Sequence, residues 1–142
     1  MTKITSASRF WLMKSEPDAY SWDDLVAEKE GTWDGVRNYR ARNNLRAMAV
    51  GDLAFFYHSN IGKEIVGIAR ISKAGIDDPG DDTGTWASVK LKPVKKLKKP
   101  VTLAAIKADP ALAAIELLTL SRLSVSELRP SEWDYIVALS QG

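Results

Sequence analysis

No cysteine occurs among the 142 residues of this chain, and histidine occurs once. Disulfides, thiolate metal sites and cysteine nucleophiles are therefore excluded, and one imidazole leaves no material for a multi-histidine metal cluster or a triad with spare parts. No metal and no cofactor is expected; any chemistry must use carboxylates, amines or hydroxyls. Long hydrophobic runs are missing as well. Nothing approaches the roughly 18 apolar residues needed to span a bilayer, and the stretch before Asp18 lacks the apolar core of a signal peptide. A soluble, cytoplasmic protein with no membrane partner is the expectation. An excess of one charge is absent too: net charge is +2, and residues 1–71 and 72–142 each carry ten Lys/Arg against nine Asp/Glu. Basic character is confined to patches, which argues against wholesale coating of nucleic acid.

What is present suits one globular domain over residues 9–140, read as a monomer, because a chain this long with 45% hydrophobic residues buries a sizeable core without staples. Met1–Ser8 is polar and uncapped, a loose end. Phe10–Lys14 is a short apolar strand that stops at Pro17. Ser21 with Asp24 forms a capping-box pattern, Tyr20 and Leu25 stand where a hydrophobic staple would, and Gly31 closes that helix. Asp34 is placed to cap a second helix, from about Gly35 to Met48, with Ala41, Leu45 and Met48 as its buried stripe. Leu53–Tyr57 reads as a central strand and Glu64–Lys73 as another. The acidic stretch Asp77–Gly84 has no apolar residue and lacks the ligand spacing of a calcium loop, so it is expected as a surface loop. Trp86–Val94 alternates as a half-buried strand with a cationic outer face. Two short helices follow at 102–108 and 109–118, the second with Asp109 as cap and Pro110 at its first position. Leu123 and Val125 suggest a last strand, and Pro130–Leu139 a closing helix. Five or so strands interleaved with short helices, without a βαβ rhythm, point to a compact barrel with helices at its ends.

Nine of the twelve aromatic residues fall between Phe10 and Tyr57, in the same third of the chain as the Arg/Asn-rich segment 37–46 and the sole histidine, His58. A planar, base-sized ligand needs rings for its faces and a few donors for its edge, so the N-terminal part is the expected place for a site. Trp33 is the leading stacker, while Trp22 and Trp133, each just inside a helix start, are expected to anchor helices to the core. Asn38 and Arg42, four apart on one helix flank, would look toward one pocket, with Arg37 beside the helix start. Arg40 and Arg46 read as solvated. Lys14-Ser15-Glu16 and Tyr57-His58-Ser59 end two strands and could converge on the same place. Lys95, Lys96, Lys98 and Lys99, with Lys90 and Lys92, form the only concentrated basic run, which fits a phosphate track or a lysine-protected sheet edge.

Phe10–Pro17, Trp33–Tyr39 with Ala41-Arg42-Asn43, Gly51-Asp52, Phe56–Asn60 and Val66–Ala69 together resemble the EVE domain, over about Phe10 to Leu139. The resemblance implies an α+β, PUA-like fold: a small β-barrel of about five to six strands with surrounding short helices. It also implies a reader of modified bases in DNA or RNA, with a modified cytosine as the leading ligand and no catalysis. Carried over, the ligand pocket would be lined by Lys14, Ser15, Trp33, Arg37, Asn38, Arg42, Tyr57, His58 and Ser59. Lys95, Lys96, Lys98 and Lys99 would then meet phosphates. Nuclear relatives carry a longer basic N-terminal extension, which Met1–Ser8 does not supply. The alternative is a small hydrolase acting on a modified base or nucleoside, as in related ASCH domains, with Lys14 and Glu16 supplying amine and carboxylate.

Overall fold

Alternation along the first strand, β1 (Phe10–Ser15), sends Trp11 and Met13 into one hydrophobic cluster and Phe10 and Leu12 into another. A strand buried on both faces belongs in the middle of a sheet. In the computed structural model, which describes residues 9–141, β1 pairs in parallel with β3 (Leu53–His58) and antiparallel with β6 (Val125–Leu128). Beyond β3 come β4 (Glu64–Asp77), β5 (Ala87–Thr102) and the three-residue β2 (Gly31–Trp33), giving the order β2-β5-β4-β3-β1-β6. The loose end expected at Met1–Ser8 lies outside the described residues.

The mixed sheet coils around the first cluster, which takes Trp33 from edge strand β2 and Val125 from edge strand β6. Those edges are not hydrogen-bonded to each other, so the expected barrel is an open one. Helix α2 (Tyr39–Ala47) packs against β5 and β6. Ala41 and Leu45 are its buried residues, and Asn44 Nδ2 donates to the Val125 carbonyl at 2.6 Å. The second cluster lies on the other face of the sheet and is covered by α3 (Leu103–Ala108), a 3₁₀ turn at Pro110–Leu112, α4 (Glu116–Thr119) and α5 (Pro130–Gln141). Trp133 of α5 stacks on Phe55 at 3.9 Å and Phe10 at 4.7 Å, the anchoring role expected of it.

Helix α1 (Trp22–Glu28) has the expected capping box between Ser21 and Asp24. Its end differs: Lys29 adopts the left-handed conformation at φ 69°, and Gly31 opens β2 instead of closing the helix. A side chain at Gly31 would collide with Tyr20 and Leu25. Trp22 is buried with its ring where a Gly67 side chain would stand, so Gly67 lets α1 lie close to β4.

The start of α2 is also corrected. Gly35 has φ +75°, its N–H donates to Asp78, and Asn38 is the cap, its Oδ1 accepting from Ala41 N at 2.9 Å. Asp34 therefore precedes the helix by a turn of irregular chain. Strand β5 runs to Thr102, through the lysines, because Lys95 and Lys96 pair with Ile68 and Gly67 while Leu97 and Val101 fill the second cluster. The single helix expected over 109–118 is divided into the 3₁₀ turn and α4.

Candidate functional site

Strands β1 and β3 run in parallel and end together, with Ser15 opposite His58. Just past that shared end the chain turns, Ala19 N donating to Glu16 O and Ser59 N to Ser15 O, both at 2.9 Å. Three further segments close on this point. Edge strand β2 delivers Trp33, the irregular stretch 34–37 follows it, and the turn after α4 arrives from far along the chain. That turn is fastened to β1 by Lys14 N donating to Ser124 O at 2.9 Å and Lys14 Nζ donating to Ser121 O at 2.7 Å. Between these walls lies a cleft of about 780 Å³. Lys14, Ser15, Glu16 and Ser59 form one side, Thr32 to Arg37 another, and Ser121, Arg122 and Ser124 the third, with Ala19 and Tyr20 beneath.

Trp33 is 6% exposed and meets Phe56 edge-on at 5.4 Å and Tyr20 at 6.3 Å. It is thus an aromatic floor rooted in the core. Burial lowers the Lys14 ammonium below its ordinary value. Asp78 is buried, which disfavours its charge, yet hydrogen bonds from Arg37 and from the backbone of Gly35 and Gly80 outweigh that and hold it below the usual carboxylate range. Arg37 Nη1 reaches it at 2.8 Å, so one carboxylate fixes both the Gly35 turn and the Arg37 side chain. The acidic loop was expected to lie wholly on the surface; Asp78, at 2% exposure, does not. Asp81 in the same loop is held down to about 2, first by the Thr83 hydroxyl and then by backbone donors.

The residues nominated from sequence divide into those at the cleft and those away from it. Lys14, Ser15, Trp33, Arg37 and Ser59 line it. Lys14 and Ser15 do so together, despite opposite faces along the strand, because β1 ends there. Asn38 is occupied as the α2 cap and lines a neighbouring hollow. Arg42 lies over the Tyr39 ring at 4.9 Å and the Trp86 ring at 6.0 Å, and its guanidinium donates to Thr85 O and Asn43 Oδ1. It thus turns toward the start of β5, away from the cleft. Tyr57 points to the opposite face of β3, into the second cluster, and burial raises its phenol. His58 Nε2 accepts from Trp22 N at 3.1 Å, packs edge-on to Phe56 and is lowered by burial, with Glu64 and Asp23 opposing. It holds the start of α1. Lys95, Lys96, Lys98 and Lys99 are exposed along the later half of β5, whereas Trp33 pairs with Val89 in the earlier half.

Sequence reading missed Tyr20, Asp78 and the 121–124 turn. The carboxylate is separated from Arg37 by 41 positions and the turn from Lys14 by 107, and only the sheet order brings them together. The hollow lined by Asn38 is about 350 Å³, with Arg40, Leu120, Ser121, Arg122 and Leu123 as its other walls. A third, of about 420 Å³, is rimmed by Glu116, Glu127 and Glu132, whose carboxylates accept from Glu127 N, Arg9 and Arg129 respectively.

A model of the EVE domain matches residues 9–139. Mouse thymocyte nuclear protein 1 is 36% identical over 168 aligned positions, which cover 94% of this chain and 74% of that protein. A Rhodopseudomonas palustris protein solved by NMR is 47% identical with a TM-score of 0.90, covering 94% of this chain and 93% of that one. Human THYN1, in a crystal structure of its complex with DNA containing 5-methylcytosine, is 35% identical with a TM-score of 0.88, over 95% and 99% of the two chains. A Zymomonas mobilis ASCH protein, 13% identical with a TM-score of 0.56 over 92% and 96%, shares the fold alone.

Proposed function

We propose, from the premise that this chain belongs to the EVE domain family, that it is a DNA-binding module that receives one modified base, a modified cytosine, and releases it unchanged. The base leaves its stack and enters the cleft at the shared end of β1 and β3, as bases do wherever a protein must reach all their edges. The observation that carries this reading is the composition of that cleft. An aromatic floor, Trp33 braced edge-on by Phe56 and Tyr20, is ringed by short hydroxyl and charged groups from three separate segments. Human THYN1, a relative at 35% identity, is bound to DNA containing 5-methylcytosine, which supports the choice of base.

Stacking and edge pairing divide the work. The Trp33–Val36 wall excludes water from the base faces, Ser59 and Ser124 offer hydroxyls that donate or accept as the base edge requires, and the Ser15 hydroxyl, which donates to Tyr20 O at 2.5 Å, is left to accept. Glu16 accepts and Lys14 donates, so a ring with both an amino group and a carbonyl finds a partner for each. A second reading, hydrolysis of a modified base or nucleoside, has one observation in its favour: the Lys14 amine, lowered by burial, lines the same cleft as the Glu16 carboxylate. Incubation with oligonucleotides carrying 5-methylcytosine or cytosine, read by fluorescence anisotropy and then by mass spectrometry, separates the two. Tighter binding of the methylated strand with its mass unchanged is expected; a changed mass would establish the hydrolase, and equal binding would remove the base reading.

A further inference from the structure

The cleft and the 350 Å³ hollow beside it share Ser121 and Arg122, so they form two stations along one groove. Their charges differ. The larger station sets Glu16 and Asp34 against Lys14, Arg37 and the shared Arg122, and Arg37 is already paired with the buried Asp78 at 2.8 Å. A neutral base is compatible with such balance; a phosphate there would meet two carboxylates. The smaller station is lined by Arg40 and Arg122 and by no acidic residue.

The two arginines of that station are also less committed to internal partners than the other arginines of the 37–46 segment. Arg42 is engaged by Thr85, Asn43 and two aromatic rings, and Arg46 by the carbonyls of Gly84 and Thr85. Arg40 approaches Glu116 only at 3.6 Å and is 62% exposed. Arg122, on the turn between the stations, has no hydrogen-bond or ion-pair partner among the described residues. Asn38 adds a side-chain amide, since its cap uses only Oδ1. A permanently charged planar fork without an internal partner, beside a second fork and an amide donor, is a fit for phosphate oxygens.

We propose that this second station, Arg122 with Arg40 and Asn38, holds the DNA phosphate adjoining the base in the cleft, and thereby sets the direction in which the strand leaves it. The proposal rests on the base-binding reading above and assigns the near phosphate contact to the turn after α4 instead of to the lysines of β5. Phosphate contacts position a strand and base contacts specify it, so removing Arg122 should weaken methylated and unmethylated DNA alike.

The test is a thermodynamic cycle between the protein and one phosphate. Oligonucleotides with a single 5-methylcytosine are made with a neutral methylphosphonate replacing, in turn, the phosphate on its 5′ and its 3′ side. For the wild-type chain one of these replacements should weaken binding by about tenfold, the size of a lost charge-assisted contact. In Arg122→Gln that same replacement should cost little, because its partner is already gone, and log K against log salt should flatten by about 0.9 for duplex DNA. An undiminished methylphosphonate penalty and an unchanged slope in both Arg122→Gln and Arg40→Gln would overturn the proposal. Wild-type preference for the methylated strand is scored in the same titrations, so failure of the base reading shows there independently. Circular dichroism of each variant establishes that it is folded.

Discussion

With 6% of its surface exposed, Trp33 is both a wall of the cleft and part of the first cluster. Truncating it acts on both: Trp33→Ala should lose about 3–5 kcal/mol of stability and at least about tenfold in affinity for methylated DNA. Trp33→Phe keeps a ring in the core and isolates the second effect; full affinity in that folded variant and in a folded Trp33→Ala would take the ring out of the site. Asn38 has its main task in the backbone. Asn38→Ala should cost about 1 kcal/mol in a urea melt and Asn38→Ser much less, because a serine hydroxyl also caps; equal stability of all three would contradict the cap. His58 carries a pH dependence. Burial lowers its folded pKa below the ordinary 6.5, so in the window just under that value the unfolded chain takes up a proton that the folded chain refuses. Stability is therefore full above about 6.5 and falls as pH falls, and protonation also removes the acceptor for Trp22 N–H. Melting temperature should drop between pH 7 and pH 5.5 more steeply in the wild type than in His58→Gln; parallel profiles would exclude this contribution.

At the scale of elements, the site depends on how a loop is tied to a turn. Asp78 accepts from Gly35 N, Arg37 Nη1 and Gly80 N, so the 77–84 loop fixes the wall that follows Trp33. Asp78→Ala leaves donors unsatisfied and should cost on the order of 2 kcal/mol while weakening DNA binding severalfold; the conservative Asp78→Asn, which keeps an acceptor, should recover part of both. Unaltered binding in Asp78→Ala would detach the loop from the site. Much of the element list was legible in the chain. Phe10–Met13 and Leu53–Tyr57 announce buried strands by unbroken apolar residues, and the Ser21–Asp24 box announces α1. Three residues of β2 are too few for any period, and Asp34 imitates a helix cap because nothing local reveals that Gly35 is held by a carboxylate 43 positions away. The Lys-rich part of β5 hides a strand because its outward residues are charged and its inward ones, Leu97 and Val101, are four apart.

On the scale of the whole molecule, the cleft exists because a coiled sheet brings one edge strand, the shared ends of two central strands and a distant turn to a single place. Half of that could be read in advance: Lys14, Ser15, Trp33, Arg37 and Ser59 come from motifs near the N terminus. The wall made of Ser121, Arg122 and Ser124 could not, since serines and an arginine in a short turn carry no signal until Lys14 is seen to bond to Ser121 and Ser124. The exposed lysines of β5 lie along a different half of that strand from the one that pairs with Trp33, which leaves the cleft itself as the proposed place of base binding. The most direct test of it is a titration of isotope-labelled protein, followed by amide and indole NMR signals, with two oligonucleotides that differ only in one cytosine methyl group. Tighter binding of the methylated strand is expected, with the largest shifts at the Trp33 indole, at Lys14–Glu16 and at Ser121–Ser124. Shifts confined to Lys95–Lys99, identical for the two strands and leaving the Trp33 indole unmoved, would contradict it.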